Sequence, residues 1–140
     1  MKVSFTVLGE PRGKGRPRVV KHGNFVNTYT PDETVVYENL IKTEYHQQCG
    51  DAFFPQKTPV AVSLVAFYSI PQSTSNKKRK EMLEGKIRPT KKVDVDNLVK
   101  VFMDSLNGVA FYDDVQVVEL GVTKVYGEQP KVDVSIMDVE

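Results

Sequence analysis

The chain of 140 residues has a single cysteine, two histidines and no apolar run long enough to span a bilayer. Each scarcity excludes something. Cys49 alone cannot form an intrachain disulfide, which fits a reducing compartment. His22 and His46 both lie far from the acidic pairs described below, which argues against a zinc centre. The opening Met1–Val7 alternates like a strand and has no signal-peptide core. The expectation is a soluble, cytoplasmic protein with no membrane partner. A chain of this length buries roughly 68–70% of its unfolded surface, so it needs neither disulfide nor structural metal to fold as one domain, 1–140.

Net charge is only +1, but the charges are not evenly spread. Between Glu10 and Lys21 stand Arg12, Lys14, Arg16, Arg18 and Lys21, with one acid. Between Lys77 and Lys92 are eight basic residues, among them Lys77, Lys78, Arg79, Lys91 and Lys92, against Glu81 and Glu84. From Lys100 onward eight acids face three lysines. Such asymmetry suggests a polyanion-binding surface beside an acidic centre. Two solvated basic stretches would give the same composition.

Residues 2–8 read as a strand, with Val3, Phe5 and Val7 on one side. The segment Gly9–Arg18 is a loop broken by glycine and proline. It is not a phosphate-binding P-loop: its spacing is one residue short, and Gly15 stands where Ser or Thr should follow the lysine. Residues 18–21 and 24–29 suggest a hairpin turning at His22-Gly23. Thr30-Pro31-Asp32-Glu33 reads as a capping box with Pro31 at the first helical position. Val36, Tyr37, Leu40, Ile41 and Tyr45 would form that helix's apolar face, ending near Cys49-Gly50. Pro59–Ile70 reads as a buried central strand, and Asn76–Leu83 as a short charged helix capped by Ser75 or Asn76. Asp96 is the expected N-cap of a further helix, with Leu98, Val99, Phe102 and Leu106 inward and Asn107-Gly108 closing it. Val115–Tyr126 reads as a strand whose alternation slips at Val117-Val118, the sign of a bulge. Val132, Val134 and Ile136 mark the last strand. The fold class is α+β (mixed α/β): a central mixed sheet of about four to six strands packed by two or three helices.

The informative stretch is Val93–Gly108, followed by Asp113-Asp114. In an extended segment Asp94 and Asp96 would project to one side, with Val95 turned into the core. Carboxylates crowded together repel one another unless a cation sits among them. Mg²⁺ takes oxygen ligands, commonly one or two carboxylates with waters and substrate phosphate. Lys100, one helical turn beyond Asp96, shares its face and could stabilise a phosphate or protonate a leaving oxygen. A plainer account also holds: helix-start acids, an i,i+4 partner and an ordinary turn.

Asp94-Val95-Asp96-Asn97-Leu98-Val99-Lys100, then Asp104-Ser105-Leu106, then Asp113-Asp114-Val115-Gln116-Val117, closely resemble the signature of RusA-type Holliday junction resolvases. That signature reads D-x-D-N-L-x-K, D-A-L and D-D-x-Q-V. The opening strand, Gly13–Arg18 and Tyr29-Thr30-Pro31 look like RusA-like proteins of Gram-positive bacteria and their phages. Ser105 departs from the usual alanine, and the Lys77–Lys92 segment is longer and more basic. The resemblance implies a RusA-like fold and a homodimer that nicks four-way DNA junctions symmetrically with Mg²⁺ or Mn²⁺. It implies metal-binding acids at Asp94, Asp96 and Asp114, a helper at Asp113 and a catalytic lysine at Lys100. DNA contacts would come from Arg12, Lys14, Arg16, Arg18, Lys77, Lys78, Arg79, Lys91 and Lys92. Two other readings stay open: a nuclease for flap or Y-shaped DNA, and a catalytically idle DNA-binding module.

Overall fold

Strand β4, Val60–Tyr68, supplies the middle of the protein. Its alternation is regular: Val60, Val62, Leu64, Ala66 and Tyr68 are buried on one face. Branched and aromatic side chains suit that pleated, packed surface. The computed structural model describes residues 1–15, 18–29 and 31–139. In it β1 (Lys2–Leu8), β6 (Lys131–Asp138), β4 and β5 (Val117–Tyr126) form one sheet in the order β1-β6-β4-β5. β6 is antiparallel to both β1 and β4, whereas β5 runs parallel to β4. The sheet is therefore mixed, as expected. A separate ribbon pairs β2 (Arg18–His22) with β3 (Phe25–Tyr29). It turns at Gly23-Asn24, one place later than the sequence suggests, with Gly23 at φ +58°. That left-handed conformation is the one glycine adopts at least cost.

Two helices cover the inner face of the sheet. α1 (Asp32–Cys49) buries Thr34, Tyr37, Ile41 and Tyr45, a stripe at i+3 and i+4 spacings. The expected face is corrected here: Val36 is 67% exposed, whereas Ile41 is 0% exposed. Pro31 is the N-cap residue and Asp32 the first helical one, so the proline sits one position earlier than predicted. The expected capping role of Thr30 lies outside the described residues. α3 (Val95–Leu106) buries Leu98, Val101, Phe102, Met103, Ser105 and Leu106. Val99 packs only partly against this core. Phe102 meets Tyr37 edge to face at 6.0 Å, and Phe5 meets Tyr45 likewise at 5.4 Å. Each such pair adds about 0.5–1.5 kcal/mol beyond its burial. The buried Ser105 hydroxyl donates to the Val101 carbonyl at 2.6 Å, so a serine is tolerated where its motif favours alanine.

The charged helix α2 (Asn76–Leu83) buries nothing and is capped by Ser75, whose hydroxyl accepts from the Lys78 amide at 3.3 Å. A 3₁₀ turn over Asp114–Gln116 precedes β5, so the strand starts at Val117 rather than Val115. The slip in its alternation is a true irregularity: Val60 faces Val117 and Ala61 faces Glu119, which leaves Val118 as the extra residue. Among the described residues, no helix is long and apolar enough to cross a membrane.

The corrected α1 face has a direct check. Ile41→Ala should cost about 2–5 kcal/mol and Val36→Ala less than about 0.5 kcal/mol, read from urea unfolding midpoints. Comparable losses at both positions would contradict the burial described.

Candidate active site along helix α3

The buried face of α3 fixes which residues point outward. With Leu98, Val101, Phe102 and Leu106 locked against the sheet, Asp96, Lys100 and Asp104 lie on the exposed side at successive i,i+4 spacings. Asp94, not Asp96, is the N-cap residue: its backbone is extended (φ −74°, ψ 160°), and its side chain makes no capping hydrogen bond. Asp96 sits in the first turn, where a negative charge is favoured by the helix dipole. The segment before Asp94 is not a strand, and the helix begins at Val95. The two acids are therefore neighbours around a helix start, and Val95 is 43% exposed rather than turned into the core. Among the described residues, Lys100 has no ion-pair partner.

The basic loop lies along this helix. The Lys14 amide donates to the Asn97 carbonyl at 3.3 Å, and the Lys14 ammonium pairs with the Asp104 carboxylate. That hydrogen bond holds the Lys14 pKa above its ordinary value. A Cβ at Gly13 would lie 2.3 Å from Val93 Cγ2 and 2.8 Å from Asn97 Cβ, so only glycine lets the loop approach this closely. Lys14, expected to face DNA, is thus tied to an acid near the end of α3.

The second acidic pair is held by its neighbours. The Asp114 amide donates to Asn107 Oδ1 at 3.1 Å, just past the end of α3. Gln116 is buried; its amide nitrogen donates to the Pro55 and Thr58 carbonyls at 2.8 and 3.0 Å. Its oxygen accepts from the Asp113 amide at 3.0 Å. Asp113 accepts in turn from the Val115 amide at 3.1 Å. The hydrogen bond to Asp113 raises the Asp114 pKa above the usual carboxylate range, with burial and the charges of Asp113 and Asp104 adding to the effect.

The structure brings Asp104, Asp113 and Asp114 into one electrostatic neighbourhood and keeps Asp94 and Asp96 at the other end of the helix. From Asp96 to Asn107 the helix rises by about 16 Å. Among the described residues, no three His, Cys, Asp or Glu side chains converge closely enough to hold a metal. Each acidic pair still offers the one or two oxygen donors that Mg²⁺ or Mn²⁺ commonly takes from a protein.

The basic residues fall into two groups. Lys91 and Lys92 line a cleft of about 950 Å³ together with Lys14, Asp94, Asn97 and Lys124. Lys77 and Lys78 project from α2, which packs against β5, and Arg79 reaches Glu128 at 3.8 Å. Arg12 is exposed at the start of the loop. Arg18 opens β2, and Arg16 lies outside the described residues. Four residues of the site escaped sequence reasoning. Asp104 had a signal, its i,i+4 spacing from Lys100. Asn107 was expected only to close α3, and Gln116 stood inside a recognised motif without a role. Lys124 had no signal, since its neighbours come from distant segments.

Two comparisons with known proteins concern the chain as a whole. A family model described as "Endodeoxyribonuclease RusA" matches residues 9–137. A Bacillus subtilis (strain 168) protein described as "Uncharacterized protein YqaN" is 38% identical over 139 residues, covering 98% of this chain and 96% of that protein.

The raised Asp114 pKa has a sign. The folded state holds that proton more tightly than the unfolded one, which stabilises the fold below the unfolded carboxylate pKa. The gain is lost as pH rises through the folded value. Asp114→Asn should therefore melt higher than the parent at pH 7, by about 2 °C at most, and show no advantage near pH 3. A lower melting point at pH 7 would mean that the carboxylate pair is not repulsive.

Proposed function

We propose that this chain, which belongs to the RusA endodeoxyribonuclease family, is a divalent-metal-dependent nuclease that resolves four-way DNA junctions as a homodimer. The observation that carries the reading is the exposed face of α3, where Lys100 stands between acids at both ends of one rigid helix. A polyanionic strand is drawn to the flanking basic loop and cleft. Asp94 and Asp96, or Asp113 and Asp114, would hold Mg²⁺ or Mn²⁺, which when bound would lower the pKa of a water and offset phosphate charge. Lys100 places a cation where negative charge develops and is suited to protonate the leaving oxygen. Asn107 and Gln116 keep the far acidic pair oriented before substrate arrives.

The homodimer has a physical rationale. In one chain the two acidic pairs stand at opposite ends of α3, whose rise from Asp96 to Asn107 is about 16 Å. A two-fold related copy, with its helix reversed, would set one protomer's acidic helix start against the other's Asp113-Asp114 turn. It would form two such sites at once, which suits paired nicks. An exposed apolar patch beside the turn supports the contact: Tyr112 is 57%, Val115 80% and Val118 58% exposed.

The test is a panel of four-way junction, flap, Y-form and linear duplex incubated with Mg²⁺ and mapped on every strand. Paired, symmetry-related nicks in the junction are expected. Cleavage confined to flaps or Y-forms would replace this reading with the branched-DNA alternative. Cleavage of none would leave a binding module. Asp96→Asn should lower cleavage by about 100-fold or more while keeping junction affinity, because it removes a charge that repels phosphate. Unchanged cleavage would remove Asp96 from the site.

A further inference from the structure

The cleft beside Asp94 contains a lysine that neither acidic nor basic motif includes. Lys124 lies in the second half of β5, half-buried, with its chain position fixed by the sheet. Its ammonium donates to the Lys91 carbonyl at 2.6 Å and stands 5.2 Å from the centre of the Tyr68 ring. Lys91 reaches the same aromatic floor, 5.9 Å from Tyr68 and 5.7 Å from Tyr126. Two ammonium groups approach the Tyr68 ring, and Lys91, Lys92 and Lys124 line the same cleft. Among the described residues, no carboxylate lies within ion-pair distance of Lys91, Lys92 or Lys124.

The cleft's wall is also stitched in place. Arg88 donates to the Lys124 carbonyl at 3.1 Å, and the Tyr68 hydroxyl donates to the Val93 carbonyl at 3.0 Å. The segment that ends at Asp94 is thereby fastened to β4 and β5. An ammonium group carries three donors, and Lys124 spends one on Lys91, so two remain for a ligand. A volume of about 950 Å³ leaves ample room for a sugar–phosphate unit. Three lysines lining one cleft, none of them ion-paired among the described residues, are matched by an anion.

The geometry points to this cleft as the binding site for a backbone phosphate of the DNA strand, adjacent to the phosphate presented to Asp94, with Lys124 as its fixed anchor. The assignment rests on the nuclease reading above and deepens it. Lys124 acts by holding the strand and takes no part in bond breaking. Its neighbours Lys91 and Lys92 close on the same phosphate from the loop side.

The experiment measures the salt dependence of binding to a plain linear duplex and to a four-way junction, with the full chain. Lys124→Met should reduce the slope of log affinity against log salt by about 0.9 and weaken both substrates alike. Lys124→Gln, which can still donate to the Lys91 carbonyl but carries no charge, should show the same loss. Lys124→Arg should keep the parental slope. An unchanged slope in the Met and Gln variants would overturn the assignment, as would an Arg variant that loses as much as Met. Tighter binding of a free mononucleotide than of duplex at this cleft would overturn the choice of a DNA strand. The duplex slope is independent of junction cleavage, so the cleft assignment and the resolvase reading fail separately. A protein that binds no DNA at all would overturn both.

Discussion

Everything at the site depends on α3 having one face it must bury. Leu98, Val101, Phe102 and Leu106 are fully withdrawn from solvent, and each such side chain is worth roughly 1.5–3 kcal/mol in the core. Rotating the helix about its axis would expose that stripe, so the outward direction of Asp96, Lys100 and Asp104 is settled by packing. The helix also acts as a ruler. Its length sets Asp94 and Asp96 at one end and the Asp113-Asp114 turn at the other.

Electrostatics explains the company these acids keep. Asp113 and Asp114 crowd each other enough to hold a proton unusually tightly, and Lys14 reaches down the helix to Asp104. The chain's near-zero net charge is thus the sum of an acidic ridge and the basic loop and cleft beside it. Glycine at position 13 makes that proximity possible by letting the loop backbone lie on Val93 and Asn97.

Much of the fold could be read directly. The alternation of β4, the charged α2 with its Ser75 cap, the closing Asn107 of α3 and the bulge at Val118 all appear in the local pattern. The errors share a cause. Val36 and Leu40 looked as apolar as Ile41, but only the docking of α1 on the sheet selects which stripe is covered. Asp96 and Asp94 are equally good capping residues by type, and the choice between them follows from where the preceding segment is tied to β4 and β5.

Sequence alone determined the identity and spacing of the candidate groups: two acids around a helix start, a lysine one turn on, a second acidic pair before a strand. Those are local facts, carried by periodicity and motif. Tertiary structure decided their distances and their neighbours. It laid the basic loop along α3, gave Asn107 and Gln116 the task of holding the Asp113-Asp114 turn, and placed Lys124 beside Lys91. These depend on contacts between residues dozens of positions apart. Backbone pairing and core packing create such contacts, and no local pattern encodes them.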